Sequence, residues 1–257
     1  MIPEPKYPEG ANLLRDKVVV VTAAAGTGIG SAVAKRSLEE GARVVVSDWH
    51  ERRLAEKAAE LGDVHAIPCD VTREKDVQAL IAGAVERFGR IDVLVNNAGL
   101  GGTKSLLEMT DEEWSRVLDV TLNGTFRATR AALRQFAAQG TGGAIVNNAS
   151  VLGWRAQGGQ AHYAAAKAGV MALTRCAAVD AQPYGVRVNA ITPGLTSSEH
   201  VKERYNPADL AARKETRLFK REQIPEDLVG TMVFLCSDAS RFVTGQTLNI
   251  DGGQNLH

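Results

Sequence analysis

The sequence predicts an α/β fold: one domain built on a doubly wound parallel sheet of seven strands with helices on both faces. Three observations predict it. Short β-branched runs alternate with longer Ala-, Leu-, Glu- and Arg-rich segments, the rhythm of parallel strands joined by crossover helices. The runs are continuously apolar rather than alternating, which suits strands covered on both faces. The chain has 257 residues with no internal repeat and no low-complexity linker, a length that one α/β unit fills.

Each element follows in order. The strand-forming runs are 17–22, 42–47, 64–69, 91–96, 144–148, 186–191 and 247–250. Helical spacing covers 29–40, 51–61, 73–88, 111–138, 162–182 and 225–237. Thr110 and Glu113 form a capping-box pattern at the start of the fourth helical segment, because each can satisfy the other's backbone N–H. Right-handed crossovers are expected between the parallel strands. Residues 1–13 read as an N-terminal extension. After Pro193-Gly194 the rhythm lapses into the polar, charged stretch 195–223. An irregular stretch of that length inside a compact domain is usually a functional lid or a disordered loop.

Lys plus Arg is 30 and Asp plus Glu is 30. That balance argues against nucleic acid as the main partner, which would call for a basic excess. No apolar run approaches the roughly 18 residues of a membrane span, and Met1 to Gly10 carries no signal-peptide pattern. Cys69, Cys176 and Cys236 are scattered, a poor disulfide framework and a poor metal site. They read as small buried residues in a reducing compartment, so a cytoplasmic protein without metal is expected.

Between the first strand and first helix lies Ala23-Ala-Ala-Gly-Thr-Gly-Ile-Gly30. Glycines there let backbone N–H groups approach a pyrophosphate at the helix N-terminus. Thr22, Ala24, Gly26, Thr27, Gly28, Ile29 and Gly30 are the candidate contacts. Asp48 ends the next strand, 18 positions after Gly30, near the distance expected of a carboxylate on the adenosine ribose. It would repel a 2′-phosphate, so NAD is expected over NADP. The competing reading of this stretch is a tight turn with no ligand.

Tyr163 and Lys167 stand at i and i+4, on one face of a helix. An ammonium beside a phenol favours phenolate, and such a Tyr can serve as general acid–base near neutral pH. By itself the pair also reads as two surface residues of an amphipathic helix. Ser150, thirteen residues upstream of Tyr163 at the end of a strand, and the glycine loop argue against that.

From about Leu14 to Gly253 the chain resembles the short-chain dehydrogenase/reductase family. The resemblance rests on Gly28-Ile29-Gly30, Cys69-Asp70-Val71, Asn96-Asn97-Ala98-Gly99, Ser150, Tyr163, Lys167, Pro193-Gly194 and Asp251-Gly252-Gly253. It implies a Rossmann-type fold and an NAD(P)-dependent alcohol/ketone oxidoreductase. Tyr163 would move the hydroxyl proton, Lys167 would hold the nicotinamide ribose, and Ser150 would hydrogen-bond the substrate oxygen. Asp70 and Val71 would bracket the adenine. Asn97, Ala98 and Gly99 would line the cofactor cleft, and Pro193, Gly194 and Thr196 would lie by the carboxamide. Two departures stand out. Ala23 to Ala25 replace the family's first glycine. Thr121 stands where the family has an Asn in a proton relay, so an altered relay through Thr121 is expected.

The stretches Ala23–Gly30, Asp48–Leu54 and Val151–Arg155 are similar to actinobacterial members acting on ring-derived CoA thioesters of steroid breakdown. A small-molecule substrate of the CoA-thioester kind is therefore expected. Val151, Leu152, Trp154, Arg155 and Leu195 are candidate substrate contacts; Trp154 also reads as core filling. Residues 199–222 hold seven bases and five acids, which reads either as a lid recruiting a phosphorylated carrier or as a solvated pair of helices. The competing activity is reduction of a 3-oxoacyl thioester on an acyl carrier protein. A non-catalytic dinucleotide-binding regulator is the reading from another class. Family analogy implies a homotetramer packed through the two long helices, whose Ala164, Ala165, Ala168 and Ala172 allow close approach.

Overall fold

Valine-rich runs flanked by helices on either side can bury both faces only inside a layered sandwich, and the chain builds one. The computed structural model describes residues 7–204 and 206–256. Residues 1–6 of the expected N-terminal extension, Tyr205 of the expected lid, and residue 257 lie outside the described residues, as do the side chains of His200, Arg204 and Asp209. The strands are β1 (Val18–Val21), β2 (Arg43–Asp48), β3 (Val64–Pro68), β4 (Val93–Asn96), β5 (Gly143–Asn148), β6 (Val186–Pro193) and β7 (Thr247–Ile250). They form one parallel sheet in the order β3-β2-β1-β4-β5-β6-β7.

The helices are α1 (Ile29–Glu39), α2 (Glu51–Leu61), α3 (Glu74–Phe88), α4 (Asp111–Leu118), α5 (Gly124–Gln139), α6 (Ala161–Ala181), α7 (Glu199–Arg204), α8 (Pro207–Glu215) and α9 (Glu226–Cys236). Alternation along β1 sorts them into two layers. Val19 and Val21 pack with Val33 and Ala34 of α1 and with Leu228 and Met232 of α9. Val18 and Val20 pack with Leu80 of α3, Phe136 of α5 and Ala181 of α6. After β3 the chain returns to the other side of β1 as β4, and such a reversal of strand order opens a crevice at the carboxyl ends of the strands. None of the helices among the described residues is long and apolar enough to cross a membrane.

Three expectations need correction. The segment 111–138 is not one helix: a π-helical turn, Asp119–Asn123, separates α4 from α5. Gly124 follows it, and a Cβ there would lie 2.7 Å from Val71 Cγ2, so the glycine lets α5 close against the loop after β3. The stretch 195–223 is not irregular, because it holds α7 and α8. Pro207 opens α8 at a position where its missing N–H costs nothing, and Asn206 caps it by accepting from Ala208 N at 2.9 Å. Finally, Cys176 is exposed, while Cys69 and Cys236 are buried. The Thr110–Glu113 capping box is present, with reciprocal bonds of 3.2 and 3.0 Å.

The described part of the N-terminal extension is strapped to α1. Glu40 is fully buried and accepts from Ala11 N and Leu13 N at 2.9 Å each. Arg36 pairs with it at 2.5 Å and also donates to the Glu9 carbonyl. These bonds hold the Glu40 carboxyl below its ordinary range despite burial.

Candidate active site

The first component is the loop from β1 into α1. Gly28 is the N-cap of α1, no side chain caps the helix, and no acid sits in its first turn. Its leading N–H groups are therefore left to an anion. A Cβ at Gly28 would meet nothing within 4 Å, so the approach is open. A Cβ at Gly30 would come within 2.4 Å of Asn97 Nδ2 and 2.5 Å of the Ala23 carbonyl oxygen; Gly30 is required by that close packing. Ala23 takes φ +52°, a left-handed conformation that glycine adopts without strain. The loop thus keeps the turn of the missing first glycine with an alanine in it. Asp48 ends β2 beside this loop, accepting from Ala25 N at 3.3 Å and His50 N at 3.0 Å. An uncapped helix N-terminus next to a carboxylate at the end of β2 fits a dinucleotide.

Thr22 is a brace. It is buried, and its hydroxyl accepts from Asn97 N at 3.0 Å and Ala98 N at 3.1 Å. Asn97 Nδ2 donates to the Thr22 and Ala23 carbonyls, and its Oδ1 accepts from Asn148 Nδ2 at 2.9 Å. Asn148 in turn accepts the Lys167 ammonium on its carbonyl at 2.5 Å. A continuous hydrogen-bonded bridge therefore ties Lys167 to the glycine loop. Asn96 faces inward instead, bonded to Thr129 and Asn147.

Tyr163 and Lys167 project from the first turns of α6, as their spacing predicted. Lys167 Nζ lies 5.6 Å from the centre of the Tyr163 ring. Burial pushes the Lys167 ammonium down to about 8, because a low-dielectric surround disfavours charge. Ser150 follows β5 and caps the single 3-10 turn Val151–Gly153, accepting from Leu152 N at 3.2 Å. Ser150, Tyr163 and Lys167 line the same cleft, of about 620 Å³, at the carboxyl edge of the sheet.

Gly28, Ile29, Asn97, Gly99, Pro193, Gly194 and Thr196 line that cleft, as do Val151, Leu152, Arg155 and Leu195. Trp154 does not. The 3-10 turn rotates it outward, where its indole N–H donates to the Thr192 hydroxyl at 3.3 Å. Ala24, Gly26, Thr27, Asp70, Val71 and Ala98 sit on the same edge but outside the cleft lining. Val71 turns its side chain into the core against α5, leaving only its backbone for a ligand. Asp70 folds onto Thr72, accepting from its N–H and hydroxyl at 2.9 and 2.7 Å. Thr27 Oγ1 accepts from Glu199 N at 3.3 Å, so the lid rests on the glycine loop.

Thr121 stands close to Lys167: its Oγ1 and the Lys167 Nζ lie 3.8 and 3.3 Å from where a Cβ on Gly99 would be. It is fully buried in the π-helical turn, and its hydroxyl accepts from Leu100 N at 3.0 Å and donates to the Leu100 carbonyl at 3.2 Å. Asn123 points to solvent and bonds Asp119 at 3.1 Å. The loop that Thr121 holds was missed in the sequence beyond Gly99. A Cβ on Gly99 would lie 3.3 Å from Lys167 Nζ, and one on Gly101 would lie 3.6 Å from the Tyr163 ring. The pair Gly101-Gly102 was the available signal, since small residues permit this approach. Asn148, Gln157, Gln160 and Arg213 also line the cleft.

The family model described as Enoyl-(Acyl carrier protein) reductase matches residues 23–255. A Mycobacterium tuberculosis protein named (5R,7aS)-5-hydroxy-7a-methyl-1-oxo-2,3,5,6,7,7a-hexahydro-1H-indene-carboxyl-CoA reductase is 55% identical over 96% of each chain. The 3beta-hydroxysteroid dehydrogenase 2 of Eggerthella lenta is 36% identical over 95% of this chain and 97% of its own. The crystal structure of a short chain dehydrogenase from Mycobacterium smegmatis superposes with a TM-score of 0.86 at 52% identity, covering 96% of this chain and 97% of the other.

Proposed function

The chain belongs to the short-chain dehydrogenase/reductase family and is an NAD(P)-dependent oxidoreductase, and from that premise we propose that Ser150, Tyr163 and Lys167 catalyse the interconversion of a secondary alcohol and a ketone. The observation that carries this reading is their gathering on one cleft, with a buried Lys167 beside the Tyr163 ring. It also speaks against a regulator without catalysis, since a binding module has no need of the phenol–ammonium pair. The dinucleotide, when bound, supplies or accepts the hydride. The N-terminus of α1, Asp48 and the Asn97–Asn148 bridge would hold it.

On the protein side, Tyr163 gives its proton to the oxygen of the reacting carbon in reduction and takes it back in oxidation. The Lys167 ammonium favours the phenolate electrostatically. The Ser150 hydroxyl donates to the substrate oxygen as charge develops there. Thr121 acts by position, through the loop at Leu100. Asp48 accepts from the ribose hydroxyls and repels a 2′-phosphate, which supports NAD over NADP. The likeness to the Mycobacterium tuberculosis relative supports a ring-bearing acyl-CoA substrate over an acyl carrier protein thioester. The exposed stripe Ala165, Ala168, Ala172, Cys176 and Val179 on α6 supports assembly through that helix, as a homotetramer in the cytoplasm.

The test is a screen of ring-alcohol and oxo-acyl CoA thioesters with both NAD and NADP, run beside Tyr163→Phe. Turnover with NAD, cut at least 100-fold in Tyr163→Phe with NAD affinity retained, is the expected result. Full turnover by Tyr163→Phe removes the tyrosine from the mechanism, and a preference for NADP removes the role given to Asp48.

A further inference from the structure

The cleft is charged in one direction. Among the described residues it is lined by Lys167, Arg155 and Arg213, and by no aspartate or glutamate, although the whole chain balances to zero. Three of the seven bases in 199–222 bond within the fold and lie outside the cleft lining. Arg217 is buried and donates to the Leu195 carbonyl at 2.7 Å. Arg221 forks onto both oxygens of Asp227 at 2.6 Å, and Lys220 donates to the Glu215 carbonyl at 2.5 Å. Arg213 is the lid base that lines the cleft among the described residues, with both terminal nitrogens 3.5 Å from Gln157 Oε1.

Arg155 lines the same cleft from the 150–160 segment. Its Nε is buried and has no hydrogen-bond partner. A buried donor without an acceptor is costly, and its residue lines a cavity whose other polar side chains are amides, hydroxyls and cations. Guanidinium groups meet carboxylates and phosphates with paired N–H donors. We infer that Arg155 and Arg213 recognise an anionic group on the substrate, so that the productive substrate carries a carboxylate or a phosphate-bearing carrier. This rests on the oxidoreductase reading above and narrows the substrate class.

The test compares three forms of one ring hydroxy-acid: the CoA thioester, the free acid, and the uncharged N-acetylcysteamine thioester. In the wild-type protein kcat/KM for at least one anionic form exceeds that for the neutral form. Arg155→Gln and Arg213→Gln each reduce that ratio roughly 10–100-fold, as loss of a charge-assisted bond predicts. Arg155→Lys retains part of it. Raising salt from about 0.05 to 0.5 M shrinks the wild-type ratio without any substitution. Preference for the CoA form alone identifies phosphate as the anion, and preference for the free acid identifies carboxylate. Equal kcat/KM for all three forms, or a ratio unmoved in both glutamine variants, overturns the inference. Calorimetric titration of the free acid and of CoA reads the same arginine dependence without turnover. Anion binding that depends on Arg155 with no turnover by the wild type would instead sink the oxidoreductase reading alone.

Discussion

Replacing Thr121 by valine keeps the shape of the side chain and removes its hydroxyl. That hydroxyl makes two bonds to Leu100, at 3.0 Å to its N–H and 3.2 Å to its carbonyl. Thr121 is fully buried and Leu100 partly so, so neither backbone group of Leu100 regains full hydration. Each unsatisfied buried group costs about 1–3 kcal/mol; partial exposure favours the low end, and the sum is about 2–3 kcal/mol. Urea unfolding of Thr121→Val is expected to show that loss, and Thr121→Ser is expected to recover most of it. Because the Leu100 loop carries Gly99 and Gly101 against Lys167 and Tyr163, kcat should fall along with stability. A proton-relay role makes the opposite demand. If Thr121→Val leaves stability intact and changes only the pH dependence of kcat, the bracing argument is refuted.

Lys167 gives a second outcome, through its burial-lowered value of about 8. The ammonium is disfavoured in the fold, so the penalty is present while folded Lys167 is charged and fades as pH rises from about 8 toward the ordinary value of 10.5. At 1.36 kcal/mol per pH unit the penalty is on the order of 3 kcal/mol. Lys167→Met should therefore be most stabilising, relative to wild type, near pH 7, and the difference should narrow by pH 10; parallel stability curves in urea would contradict this. A third outcome concerns the glycine loop. Ala23 sits at φ +52°, which costs an alanine about 1–2 kcal/mol, while glycine loses about 0.5–1 kcal/mol more chain entropy on folding. Ala23→Gly is expected to raise the urea midpoint by up to about 1 kcal/mol of stability, and a lowered midpoint would count against the strain.

The strands were legible because their chemistry is redundant. A run such as Val18–Val21, buried on both faces, has few other ways to fold. The positions of Ser150, Tyr163 and Lys167 were legible because helix geometry and strand ends fix them locally. What escaped depends on fine rotation. The apolar spacing of 111–138 runs straight through the π-helical turn, and only three-dimensional packing shows that the Thr121 hydroxyl meets Leu100. The outward turn of Trp154 follows from a single 3-10 turn that no periodicity marks. The helices of the 195–223 stretch carry little apolar pattern, so their polar sequence left a solvated pair of helices as only one of two readings. Cys176 reads like its two buried counterparts, yet its helix face is decided by which side of α6 meets the sheet.

The same dependence on placement explains the charge. A count of 30 bases against 30 acids cannot distinguish a mixed surface from one that sorts its signs. Here two acids, Asp70 and Asp227, are taken up by partners of their own. Asp70 is bonded to Thr72, and Asp227 is clamped by Arg221, whereas among the described residues the cleft lining holds three cations and no carboxylate. A carboxylate beside Lys167 would stabilise its ammonium, but it would also oppose the negative charge that Tyr163 and the substrate oxygen must share. Excluding acids therefore favours proton transfer and anionic substrates by the same means. Asp48 stands at the end of β2, outside the cleft lining, where under the proposed reading its charge would meet ribose hydroxyls without facing the reacting oxygen.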